Sequence, residues 1–177
     1  CRTGGEIVYF SVEPSNIVVR RHLGAGGKAF FIKDGIICGV GSYSGENEQD
    51  VSGKYVMPGF IDSHVHIESS MTQPSEYAKA VMPHGITTVI ADPHEITNVC
   101  GEDGLEFMLK SAKNIPLDVN LMLPSCVPAT PFEHTGANLD AKTTQKLAPK
   151  FFGIGEMMNY PGIVSGDDET LGKLCLD

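Results

Sequence analysis

Short apolar runs separated by turn residues dominate the first third of the chain. Residues 17–19 and 29–32 are two such runs, each long enough for a strand. Lys33-Asp34-Gly35 separates Phe30-Phe31-Ile32 from Ile36-Ile37-Cys38, the pattern of a β-hairpin. Residues 42–50 are polar and contain glycine, so a loop is expected there. From Pro58 onward the pattern changes. Apolar runs at 60–62, 87–91, 117–123 and 151–154 alternate with helical segments at 74–82, 104–113 and 140–147. Pro74 suits a first helical turn, and Gly85 suits a stop after His84, whose imidazole favours a helix C-terminus. Positions 105, 108, 109 and 112 place their apolar side chains on one helical face. A last helix is expected just after Gly166, capped by Asp167 or Asp168.

The four strand starts lie 27, 30 and 34 residues apart, the repeat of a βα unit. The fold class is therefore α/β from residue 58, behind a β-rich portion over residues 1–57. Two architectures fit. A closed (β/α)8 barrel takes about 250 residues. Residues 58–177 supply 120, or half of one. A complete doubly wound sheet of four strands fits the same length. Residue 1 is Cys and the first methionine is Met57, so the chain is expected to be a piece of a longer product.

Composition narrows the function classes. Of 177 residues, 41% are hydrophobic and 20% charged, which suits a globular core. Thirteen Lys and Arg face 22 Asp and Glu, and a formal charge of −9 argues against a nucleic-acid partner. No run of about 18 apolar residues predicts a membrane span, and no secretory signal is visible. The five cysteines, at 1, 38, 100, 126 and 175, include no CxxC pair. A disulfide framework is not expected, and a reducing cytoplasm is.

The chemistry gathers where strands end. His64 and His66 follow the first strand, and in an extended segment residues i and i+2 point the same way. Both imidazoles can reach one zinc, manganese or iron ion. Asp92 and His94 follow the second strand, and Glu156 follows the fourth. In a parallel barrel the C-terminal strand ends share one face, so these five residues are expected to converge across up to 92 positions. Glu156 lies between Ile154 and Met157, where an ionised carboxylate is costly unless paired or metal-bound. His66-Ile67-Glu68 matches the HxE of the zinc nucleobase deaminases, but their PCxxC is missing, which excludes that fold. Ser125 and Cys126 follow the third strand and are expected to line a substrate pocket. His22 and His134 read as solvated loop residues.

The stretch Val56-Met57-Pro58-Gly59-Phe60-Ile61-Asp62-Ser63-His64-Val65-His66 resembles the PGxIDxHxH signature of the amidohydrolase superfamily. Blocks 66–71, 83–96, 123–131 and 155–162 are similar, in order, to the bacterial-type adenine deaminase family. That resemblance implies metal-dependent hydrolysis of adenine to hypoxanthine and ammonia in purine salvage. It implies the first half of a TIM-like barrel preceded by part of a small β-sandwich. It also implies a two-metal centre, of manganese or iron before zinc, with His64 and His66 on one ion and Glu156 bridging the pair. Asp92 and His94 then take auxiliary metal or proton-handling roles, Glu156 with them in catalysis, and Glu68, Ser125 and Cys126 line the purine pocket. A homo-oligomer is expected of the complete protein. The family pattern continues with two more histidines and a late aspartate, so the isolated 177 residues are expected to be inactive. Another cyclic-amide hydrolase, of the dihydroorotase or hydantoinase kind, and a non-catalytic remnant are the alternatives.

Overall fold

The computed structural model describes residues 7–9, 17–20, 29–34, 36–45, 47–51, 54–130 and 132–175. Gly35 of the expected hairpin turn and His22 lie outside the described residues. The chain forms two units, Cys1–Phe60 and Ile61–Asp177.

The first unit holds six short strands: β1 (Ile7–Tyr9), β2 (Ile17–Arg20), β3 (Ala29–Lys33), β4 (Ile36–Gly41), β5 (Asn47–Asp50) and β6 (Tyr55–Met57). One sheet has the order β4-β3-β2-β5, and β1 pairs in parallel with β6. The hairpin β3–β4 is antiparallel, with Asp34 at φ 50° in its turn. Ile32 and Val51 form the buried centre of this unit, with Phe30 and Val56 against them. Phe31 stacks on Tyr43, whose ring also lies over Gly39, where a Cβ would collide with it, and close to Gly41. Residues 47–50, expected as loop, are instead the strand β5, parallel to β2. All four of its side chains are exposed, so it carries no apolar alternation and is held by backbone pairing at a sheet edge.

The second unit is built on β7 (Phe60–Val65), α1 (Pro74–Val81), β8 (Ile86–Ala91), α2 (His94–Ser111), β9 (Asp118–Leu123), α3 (Ala141–Leu147), β10 (Gly153–Ile154), α4 (Tyr160–Ser165) and α5 (Asp168–Gly172). Its sheet runs β10-β9-β8-β7, and the β8–β9 and β9–β10 pairs are parallel. This order has no reversal. A doubly wound sheet needs one, because its strands fan out to both sides of a switch point. Sequential order is that of a barrel wall, so the unit is part of a (β/α)8 barrel.

The packing follows from strand alternation. Val89 and Ala91 of β8 and Leu121 of β9 face the helices and are buried with Ala78, Met108, Leu117 and Ile67. A second cluster joins Leu123, Leu105, Val127, Leu139 and Leu147. Burying each Val, Leu, Ile or Met side chain among these contributes about 1.5–3 kcal/mol, which is what holds α1, α2 and α3 to the sheet. Asp140 caps α3 by accepting from Thr143 N, and Asp167 caps α5 by accepting from Thr170 N.

Two helices depart from the pattern read along the chain. α2 starts ten residues before the expected 104, because two helical stretches meet across Gly101, at φ 58° and ψ −137°. The break is filled from the loop after β9: Thr135 Oγ1 and Gly136 N both donate to Asn98 O, at 2.7 and 2.9 Å. Helix α4 was not expected. Pro161 and Gly162 are poor helix formers, and Asn159 nucleates the turn by accepting from Gly162 N. The expected strand 151–154 is regular only over β10, although Phe152 N and Gly155 N continue its ladder onto Leu121 O and Leu123 O.

Gly101 has a conformation open only to glycine, and a Cβ on Gly136 would drive into Val99 O. Gly101→Ala and Gly136→Ala are each expected to destabilise the second unit by about 1–3 kcal/mol. Gly166→Ala, at φ 72° with open space around it, should cost about 1 kcal/mol. Urea unfolding followed by circular dichroism ranks the three. Equal losses would contradict the role given to the α2 break.

Candidate metal centre

β7 carries the first two groups. Its pleat puts Asp62 and His64 on one side, and His66 follows in extended conformation at φ −107° and ψ 97° before the short 3₁₀ turn Ile67–Ser70. The two imidazoles stand edge to face with centroids 5.0 Å apart. Their Nε2 atoms are separated by 3.2 Å. Glu156, two residues past β10, brings Oε1 to 3.5 Å from His64 Nε2 and 3.4 Å from His66 Nε2. No other group of this kind is found among the described residues.

This triangle fits a cation. Tetrahedral ligands bonded at 2.0–2.2 Å stand about 3.3–3.6 Å from one another. A shared proton serves one contact between two of these atoms, whereas a cation serves all three. Two imidazoles and a carboxylate suit zinc, iron or manganese. The donor set therefore matches a divalent ion both in spacing and in chemistry.

Asp92 follows β8 and is buried, at 1% exposure. Its Oδ2 accepts from Glu156 N at 3.2 Å, so it fixes the backbone of the distant carboxylate. Gly155 makes this approach feasible, since a Cβ there would strike the Asp92 carboxylate. Asp92 Oδ1 is buried without a partner among the described residues, as is His94 Nδ1 at the start of α2. His94 is not part of the three-residue triangle.

Ser125 and Cys126, expected to line a pocket, turn their polar atoms to the loop after β10. Both are buried. Ser125 Oγ donates to Glu156 O at 2.7 Å. Cys126 Sγ accepts from Met158 N at 3.0 Å and Asn159 N at 3.4 Å, and lies 3.2 Å from Met157 Sδ. They hold the Glu156 loop from below. Glu68 also faces the backbone: its Oε1 accepts from Ile96 N at 3.3 Å, in the first turn of α2, and its Oε2 is buried without a partner among the described residues. Pro93 at the N-cap of α2 makes no side-chain cap bond, so Glu68 supplies one from another segment.

Two neighbours were missed in the sequence. Glu95 Oε2 lies 3.0 Å from His66 Nδ1, and Ser69 Oγ donates to Glu95 Oε1 at 2.8 Å. The signal was present in the run Asp92-Pro93-His94-Glu95, where a helix start had not been expected. Burial works against charge on His66, but Glu95, Asp92 and Glu156 outweigh it and raise its pKa. His84 and His134 are exposed and outside the triangle.

Residues 55–171, about two thirds of the chain, match the amidohydrolase family. The chain belongs to that family. Similar curated relatives include adenine deaminase 2 of Desulfotalea psychrophila, 57% identical over 147 residues, covering 82% of this chain and 26% of the relative. Adenine deaminase of Clostridium acetobutylicum is 58% identical over 142 residues, with 79% and 25% covered. That of Halalkalibacterium halodurans is 53% identical over 148 residues, with 81% and 25% covered. The chain thus spans about a quarter of the length of these relatives. As an amidohydrolase it comes from a family that implies a divalent metal centre, in keeping with the donor set of His64, His66 and Glu156. No helix among the described residues is long and apolar enough to cross a membrane.

Burial also raises the pKa of Asp92 from its ordinary 3.8 and of Glu68 from 4.5, partly offset by backbone N–H groups of Glu156 and Ile96. Raised carboxyls favour folding fully below their unfolded pKa values, and that contribution is lost as pH rises through the folded ones. Metal-free Asp92→Asn is therefore expected to melt above the wild-type chain at neutral pH, with an advantage that shrinks toward about pH 4. Calorimetry in excess chelator measures it. An advantage independent of pH would count against a buried, strained carboxylate.

Proposed function

We propose that this chain contributes the first metal-binding half of an enzyme that hydrolyses adenine to hypoxanthine and ammonia. The observation that carries the reading is the triangle of two imidazole nitrogens and one carboxylate oxygen at 3.2–3.5 Å, set in a chain more than half identical to adenine deaminases over most of its length. His64, His66 and Glu156 would hold a divalent ion, manganese or iron before zinc, in a two-metal centre. When bound, such an ion supplies a nucleophile at neutral pH by lowering the pKa of water from 15.7 to about 7.

The remaining steps belong to side chains. Asp92 lies against the Glu156 backbone with Oδ1 unbonded, so it has a lone pair with which to take a proton from the attacking water. The carbon that bears the exocyclic amino group gains oxygen and loses nitrogen. Asp92 returns the proton to the departing amine, which leaves as ammonia. Its burial, which makes it a better proton holder than an exposed aspartate, suits both directions of this transfer. His94 stands beside it as an auxiliary polar group. An overall negative chain suits a neutral base with no phosphate to hold.

A chimera tests the reading. This chain replaces the matching segment of the Clostridium acetobutylicum relative, which then supplies the rest of the length. The chimera is expected to release ammonia from adenine, to lose that activity on chelation and to regain it with Mn²⁺. Glu156→Gln in the chimera should lower the rate on the order of 100-fold or more. Ring opening of a cyclic amide without ammonia release, or a Glu156→Gln chimera of full activity, would overturn it.

A further inference from the structure

We infer that Glu95, anchored by Ser69, is a positioning residue that holds the His66 imidazole with its proton on Nδ1 and its Nε2 lone pair turned to His64 and Glu156. The inference rests on the metal reading given above, but its geometry stands apart from it. A neutral imidazole carries one N–H, and either nitrogen can bear it. An ionised carboxylate only accepts. Glu95 Oε2 at 3.0 Å from His66 Nδ1 therefore requires the hydrogen to be on Nδ1, which leaves Nε2 bare.

Glu95 is itself held in place. Ser69 Oγ donates to its other oxygen at 2.8 Å, and its backbone lies in the first turn of α2. With Ser69 on Oε1, the other oxygen faces His66 Nδ1. The neighbouring residue joins the same seam, since Ile96 N donates to Glu68 Oε1. The turn that carries His66 is thereby stitched to the start of α2 at three points. His64 differs: its ring nitrogens have polar partners only in His66 and Glu156 among the described residues. Control of the tautomer thus enters the triangle through His66 alone. Carboxylates that receive the second N–H of a ligating histidine orient its ring and raise its basicity, and their loss typically weakens metal binding about 10–100-fold.

The test uses the full chain, metal-free, at about pH 8.5, where imidazole is neutral. Two-bond ¹H–¹⁵N correlations of the histidine rings report which nitrogen carries the hydrogen, and Zn²⁺ affinity is read by dye competition. Glu95→Leu is expected to release His66 from the Nδ1–H form without altering His64, and to weaken Zn²⁺ binding about 10–100-fold. Glu95→Gln keeps an acceptor oxygen and should keep more of both. Thr97→Val provides the structural control, because Thr97 Oγ1 bonds Pro93 O in the same helical turn without touching His66. It should leave the tautomer and the affinity within about threefold. His66 remaining Nδ1–H in Glu95→Leu, or equal losses in Thr97→Val, would overturn the assignment. A wild-type chain that binds no Zn²⁺, with the His66 tautomer still switching in Glu95→Leu, would instead overturn the metal reading and leave the role of Glu95 standing.

Discussion

Three lone pairs converge within 3.2–3.5 Å of one another at the end of the parallel sheet. Without a cation between them, electron-rich atoms at that spacing gain little. With one, each is satisfied. The rest of the second unit is arranged to deliver them. β7 brings His64 and His66 from the first strand of the sheet, and β10 brings Glu156 from the fourth. Their separation of 92 positions closes because parallel strands put their C-terminal ends on one face.

Delivery of Glu156 is the harder part, because β10 has only two residues of regular strand. A short strand sets direction poorly, and the loop that follows would otherwise be free. It is gripped from three sides instead. Asp92 takes the N–H of Glu156, Ser125 gives its hydroxyl hydrogen to the carbonyl of the same residue, and Cys126 takes the N–H groups of Met158 and Asn159. Gly155 admits Asp92 to this grip, and no side chain could replace its hydrogen there. The loops after β8 and β9 therefore act as a mould for the one after β10.

The parts legible in the sequence were those with a strong local signal. β8 is a run of Thr, Val and Ile. The histidine pair at i and i+2 needs only the period of a strand. The Asp140 and Asp167 caps stand directly before their helices. What could not be read depended on contacts between distant segments. β5 has no apolar face and exists through its pairing with β2. The start of α2 is hidden by Gly101, whose break is repaired by Thr135 and Gly136 from a later loop. Ser125, Cys126 and Glu68 were expected to line a pocket, and their polar atoms turn to backbone N–H and C=O groups that no spacing rule identifies. Glu95 was overlooked for the same reason: its partner is 29 residues away.

The site also carries the cost that such arrangements impose. Asp92 Oδ1, Glu68 Oε2, His94 Nδ1 and, away from the site, Thr144 Oγ1 are buried with no protein partner among the described residues. A buried polar atom left unpaired typically costs about 1–3 kcal/mol. In a fold selected for stability alone such atoms would be replaced by apolar ones. Two of them sit on residues flanking the triangle, a third is on the carboxyl that caps the helix bearing Glu95, and the fourth is on α3. Three of the four thus gather around the triangle and the helix start beside it. The residues of the apolar clusters under α1, α2 and α3 carry no such atom, and Thr144 on α3 is the exception beside them. That bias, apolar clusters below and most of the unpaired polar atoms at the rim above, lets a rigid scaffold hold reactive groups at close quarters.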